Sequence, residues 1–181
     1  MKERTSIIAV ILFLTVSSLP SGAQVMSAGT FHSYKGVGVI MLAATTDDRE
    51  FNSFNLYADM SEVFAGRSSR PGAKFNFSRN IMILDIEPQE KEDFSLFAGA
   101  GVSAGWVQDY GRQGFGVAAA LSGSFGANLA FPERHILITV AATLEAGPWI
   151  HKDKGEYNMF LYRSGIYQGI YPHISISYLF R

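Results

Sequence analysis

Near the end of the chain His173 and Ser175 stand two residues apart. Upstream, a lone acid, Glu145, interrupts the otherwise uncharged run "ILITVAATLEAGPWI" at 136–150. A hydroxyl nucleophile, an imidazole base and an orienting carboxylate are the residue types that acyl hydrolysis requires. The same groups have a plainer use, as members of a polar set that satisfies its own hydrogen bonds inside a protein. Other chemistry is thinner. "AGAGVSAG" at 98–105 is glycine-rich, but it is not G-x-G-x-x-G, and it lies inside a strand pattern rather than at a strand-to-helix turn, so close backbone packing accounts for it better than a phosphate loop. His32, His135, His151 and His173 are scattered without ligand spacing, so no metal site and no cofactor are read from them.

What positions these residues follows from composition and period. The 15 basic and 16 acidic residues leave a net charge of -1 with no basic stripe, which removes electrostatic support for nucleic-acid binding. Cysteine is absent, and with it disulfides and thiol chemistry. Lys2 and Arg4, the apolar run 5–16 and the small residues Ser21 and Ala23 read as a secretory signal over 1–23, leaving 24–181 as one domain. Beyond the signal no apolar run approaches the roughly 18 residues of a membrane helix. Yet the chain is 48% hydrophobic and only 17% charged, so its apolar residues are dispersed.

They are dispersed with a period of two. In "GFGVAAALSGSFGANLAF", 114–131, Phe115, Val117, Leu121, Phe125 and Leu129 share one parity, and Ser122, Ser124 and Asn128 the other. The alternation outlasts the usual strand of about five or six residues. The rule repeats at 94–108, where Leu96, Val102 and Trp106 oppose Ser95 and Ser103, and at 136–150, where Ile138, Val140 and Leu144 oppose Thr139, Thr143 and Glu145. At 51–64 Phe54 and Leu56 oppose Tyr57 and Asp59, and at 169–180 Ile174, Ile176, Tyr178 and Phe180 oppose His173, Ser175 and Ser177. With 33–44 and 73–86 these make seven strands. A barrel of even number then needs an eighth from the weakly patterned 25–32. The non-bulky faces carry Ser, Gly, Ala and Asn rather than Lys or Glu. That suits the crowded interior of a small barrel, with the bulky face toward lipid and Trp106, Trp149, Tyr178 and Phe180 in aromatic girdles. The expected fold is an all-β, antiparallel up-and-down transmembrane barrel. Two alternatives stand beside it: a lipid-modifying barrel enzyme, and a soluble exported barrel that encloses a ligand with its apolar face inward.

The signal, the alternating strands and the terminal "YLF" resemble the small outer-membrane β-barrel domain family of Gram-negative bacteria, over nearly all of the mature chain. That resemblance implies an outer-membrane location, lipid as the surrounding partner, and reading of the last strand by the barrel-assembly machinery through Tyr178 and Phe180. Arg181 departs from the terminal Phe common in that family. The pair His173 and Ser175 also resembles the H-x-S element of outer-membrane lipid A deacylases, but the longer motif and its downstream Glu are missing. By the same topology 132–135, 87–93 and 44–50 are short periplasmic turns, whereas 66–72, 109–113 and 152–168 are extracellular. The last of these, with Lys152, Lys154, Tyr157, Phe160, Tyr162, Arg163 and Tyr167, is either a contact surface for another cell-surface molecule or a simple extension of the last hairpin.

One residue breaks the pattern. Strict alternation from Phe75 and Phe77 puts Arg79 on the lipid face, at a cost of about 2 to 4 kcal/mol near the midplane. A β-bulge near Ser78 would turn it inward, toward a lumenal charge cluster of Arg79, Asp59 and Glu145 bordered by His173.

Overall fold

The computed structural model describes residues 25–86, 92–166 and 171–180. The expected signal at 1–23, the turn residues 87–91, Tyr167 and Arg181 lie outside that set. Ten strands follow in order: β1 (Val25–Ser33), β2 (Gly36–Ala44), β3 (Glu50–Asp59), β4 (Gly72–Ile86), β5 (Asp93–Val107), β6 (Gly116–Phe131), β7 (Ile136–Ala146), β8 (Pro148–Asp153), β9 (Glu156–Leu161) and β10 (Tyr171–Leu179). Two four-residue helices, α1 (Ser61–Phe64) and α2 (Arg163–Ile166), lie between them.

Eight strands form a closed antiparallel barrel in the order β5-β4-β3-β2-β1-β10-β7-β6, and pairing of β5 with β6 shuts the ring. The weakly patterned segment supplies the eighth strand, β1, which pairs with β10 on one side and β2 on the other. The remaining two strands form a hairpin at one rim. Its β8 continues the line of β7 past Gly147 and pairs with the first residues of β6, whereas β9 pairs with β8 alone among the described residues.

The register has a large offset. Stepping across the ladder from Glu145 leads to Ser122, Gly101, Ser78, Ser53, Leu42, Ser27 and Leu179. The backbone N–H of Leu179 then meets the carbonyl of His135, the residue just before β7, so the path returns ten residues from where it started. Such an offset requires tilted, strongly coiled strands, about 35–45° from the barrel axis. On the inner face of so tight a coil neighbouring backbones crowd. A Cβ at Gly101 would lie 1.9 Å from the carbonyl oxygen of Phe77, so only glycine fits.

The two faces sort as the alternation requires. Inside lie Ser53, Asn55, Asn76, Ser78, Ser122 and Thr139, all buried, together with a cluster in which Ile40, Leu42, Phe51, Phe97 and Leu137 lie toward the short-turn end and Phe31 packs on Tyr57 above them. Outside, Val39, Val102, Leu121, Phe125, Val140 and Ile176 are each about half exposed or more. β4 runs unbroken through Arg79. Its only register shift lies between Met82 and Leu84, so there is no bulge near Ser78.

The glycine constraint has a direct test. Gly101→Val should abolish closure, and refolding into detergent micelles followed by far-UV circular dichroism should show the strand signal of the parent lost.

Candidate functional site

The polar residues that alternation turns inward converge toward the long-loop end. Glu145 on β7 and Lys74 on β4 approach across the lumen and form an ion pair, with both side chains wholly buried. Tyr171, at the start of β10, donates its hydroxyl to the other oxygen of Glu145 at 3.1 Å, and its own oxygen lies 3.5 Å from that of Tyr57. The Lys74 ammonium also donates to the Tyr162 hydroxyl at 3.1 Å. A buried charge pair is tolerable only when its remaining lone pairs and protons are satisfied, and the two phenols supply that here.

A second layer caps the pair. α2 dips into the barrel mouth, where Ser164 and Gly165 are buried. A Cβ at Gly165 would come within 2.5 Å of the Glu145 carbonyl oxygen, so the close approach requires glycine. Asp109 holds the turn by accepting the backbone N–H groups of Arg163 and Ser164 and the Ser164 hydroxyl, at 2.9 to 3.1 Å. Lys35, in the β1–β2 turn, donates to the Ser164 carbonyl at 2.7 Å and lies over the Tyr171 ring at 4.3 Å. Burial, and then the like charge of Lys74, bring its pKa down to about 8, against the opposing pull of Glu145, Asp59 and Asp109. Burial likewise pushes the Tyr162 phenol well above its ordinary range.

The charge cluster anticipated from the sequence is therefore differently composed. Glu145 is its centre, but its cation is Lys74. Arg79 is a correction: it lies on the outer face and pairs with Glu50, the first residue of β3. The physical reason is its place near the end of a neighbouring strand, where an outer-face carboxylate is available, so no bulge is needed to relieve its charge. Asp59 ends β3, and one of its oxygens accepts the N–H and hydroxyl of Ser61, the first residue of α1. His173 pairs with Ala141, four residues from Glu145, and its ring packs 4.8 Å from Phe31. The hydrolase constellation is not assembled, because Glu145 is engaged by Lys74 and Tyr171, and neither His173 Nδ1 nor Ser175 Oγ has a hydrogen-bond partner.

Two aromatic assignments also change. Trp149 is no girdle residue: it keeps the inward parity of Glu145, is buried with Val107, Ala118 and Tyr162, and donates its indole N–H to the Val107 carbonyl at 3.1 Å. Tyr162, read as part of a loop surface, is buried in the mouth. Lys74 and Tyr171 went unread, although parity with Asn76 and with His173 marks both as inward. Lys35, Asp109 and Ser164 carry no such sign.

Below the ion pair the lumen narrows to a void of about 20 Å³, lined by Asn55, Asn76, Asn80, Thr143 and His173 among others. That is room for about one water molecule, far below the roughly 300–1,000 Å³ of a small-molecule pocket. Among the described residues no three acidic or histidine side chains gather to hold a metal ion. The class defined is a closed eight-stranded barrel, polar and plugged within and apolar without. No protein-family model matches the chain, and no curated protein or solved structure matches it.

Two outcomes follow for stability. Glu145→Ala leaves the Lys74 ammonium buried and unpaired, which should cost about 3 to 5 kcal/mol in urea unfolding from micelles, whereas Lys74→Met combined with Glu145→Leu should recover most of the loss. For Lys35 the folded pKa of about 8 lies below the unfolded value of about 10.4. Between the two the unfolded chain binds the extra proton, so stability should rise from about pH 8 toward pH 10, and Lys35→Met should flatten that slope. The gain ends near pH 10, where phenols of the unfolded chain begin to ionise and the buried Tyr162 opposes it.

Proposed function

We propose that the chain is a small integral outer-membrane barrel of Gram-negative bacteria, non-enzymatic, with a structural or surface-interaction role and a side-chain-filled lumen. The observation that carries this reading is the sidedness of the wall. Leu121, at 71% exposure, and Phe125, at 59%, stand in the middle of the sixteen-residue strand β6, with Val140 and Val102 on the strands to either side. A contiguous apolar belt around a closed barrel suits a hydrocarbon solvent, and the closed ladder leaves no unpaired edge within it.

Details at both rims support it. Trp106, Tyr178 and Phe180 are outward and about half exposed, as an interfacial girdle requires. The outward Arg79 on β4 lies opposite the start of β3, within reach of the short-turn rim, where a guanidinium can extend toward water. A soluble ligand-binding barrel would need the opposite sidedness and a larger cavity. On this reading Tyr178 in the last strand and Phe180 just past it are what the barrel-assembly machinery would engage.

Fractionation tests the proposal. The protein should sediment with outer membranes and migrate faster on gels unheated than boiled. Leu121→Arg should cost about 2 to 4 kcal/mol and impair insertion, while Ser122→Ala should be mild. Recovery in the soluble periplasmic fraction, or equal damage from both substitutions, would overturn the reading.

A further inference from the structure

The β8–β9 hairpin has two unlike faces. Its inner face carries Trp149, His151 and Asp153 on β8, with Asn158 and Phe160 opposite, and lines an open cleft: His151 lies on Trp149 with ring centres 5.1 Å apart, and the Arg112 guanidinium lies over Phe160 at 3.7 Å. Its outer face carries Ile150, Lys152, Tyr157, Met159 and Leu161. Tyr157 is 74% exposed and Met159 68%. An extracellular loop surrounded by water would gain nothing by aiming these residues outward.

That face continues the wall. Trp106, Val117, Ile150 and Met159 form one row of the ladder across β5, β6, β8 and β9. The ten-residue offset means that rows climb toward the long-loop end in this direction. With strands about 4.8 Å apart and a tilt near 40°, each step rises about 3 Å, so Ile150 stands about 6 Å and Met159 about 9 Å above Trp106, with Leu161 about 5 Å lower than Met159, and Lys152 and Tyr157 about 5 Å higher than Ile150 and Met159. The headgroup layer on each side of the hydrocarbon is about 5 to 8 Å deep. From Leu161 through Ile150 to Met159 the outer face of the hairpin thus covers that layer when Trp106 marks the interface, and Lys152 and Tyr157 stand above it with side chains long enough to reach back toward its phosphates. Its charge fits as well: Lys152 lies over the Tyr157 ring at 5.4 Å on the outer face, whereas Asp153 and Glu156 share the inner one.

Resting on the outer-membrane reading above, we infer that the β8–β9 hairpin docks its outer face on anionic, phosphate-bearing lipid headgroups. Leu161 and Met159 seat against the layer, and Tyr157 with Lys152 meets the phosphates. Aromatic rings and long basic side chains are suited to this boundary, with the apolar body below and the charge in the wet layer.

The absence of native cysteine permits site-specific labelling. Met159→Cys, Leu161→Cys, Asn158→Cys and Leu121→Cys, each carrying an environment-sensitive fluorophore, are reconstituted in phosphatidylcholine vesicles with and without phosphatidylglycerol. Nitroxides on lipid headgroups or acyl chains and iodide in the water serve as quenchers. The label at Met159 should lose emission to the headgroup nitroxide and be shielded from iodide, the label at Asn158 should do the reverse, and Lys152→Glu should weaken the Met159 quenching only where phosphatidylglycerol is present. Leu161→Cys reads the same face should the Met159 variant fail to insert. If Leu121 is quenched from the acyl chains while Met159 is open to iodide, the docking is wrong and the membrane barrel stands. Shielding of Met159 from both quenchers would mean protein covers the face and also overturns the inference, as would a Lys152→Glu effect equal in both vesicles. If Leu121 escapes the acyl-chain nitroxide, the membrane reading falls, and the docking with it.

Discussion

The offset at which the ladder meets itself governs this molecule. Eight strands that close ten residues out of step must coil tightly, and tight coiling brings backbones together on the concave side. That side consequently admits glycine and short polar residues where the curve is sharpest, as at Gly101, and large side chains only where the lumen has length to stack them. The convex side has no such limit and carries the bulk: Leu121, Phe125, Val140 and Ile176. The division into small-polar within and large-apolar without is thus a geometric requirement of closure as much as a response to the surrounding solvent.

A narrow lumen also explains why charge is kept inside it. Lys74 and Glu145 come from well-separated parts of the wall, and among the described residues they form the ion pair that neutralises both in the lumen. Their pairing, with Tyr171, Tyr162 and Tyr57 absorbing the remaining hydrogen-bonding capacity, ties β4, β7 and β10 together through the interior. α2 and Asp109 then close the mouth over them, so the long-loop end is sealed by chain from outside the barrel proper. The short-turn end is sealed differently, by Phe51, Phe97, Ile40 and Leu42, and needs no ions.

Much of this was legible because a period of two is unambiguous when sustained. The faces of β5, β6, β7 and β10 follow from it, and so does the inward position of Glu145. Alternation also holds for Lys74, in step with Asn76, and for Trp149, in step with Glu145. The misreadings came from overriding it. An unpaired Arg79 would be costly outside, yet the ladder brings Glu50 close to it across the β3–β4 pair, and that neighbour is invisible until register is known. Trp149 was assigned by residue type to an interface although parity had already turned it inward. Lys35, Asp109 and Ser164 were beyond reach, since they lie in turns and a one-turn helix where no strand period applies, and Asp109 meets Ser164 from 55 positions away in the chain.

The seam between β1 and β10, where Ser27 lies opposite Leu179, joins segments from the two ends of the described chain. Such a ring cannot be completed by its first part alone. Hairpins such as β4–β5 and β5–β6 can form from neighbouring sequence, but the bond that makes a cylinder of them waits for the last strand, and until then two raw strand edges and an apolar convex surface are open at once. Folding should therefore be slow relative to the length of the chain, with the interval before closure the period of greatest exposure to aggregation.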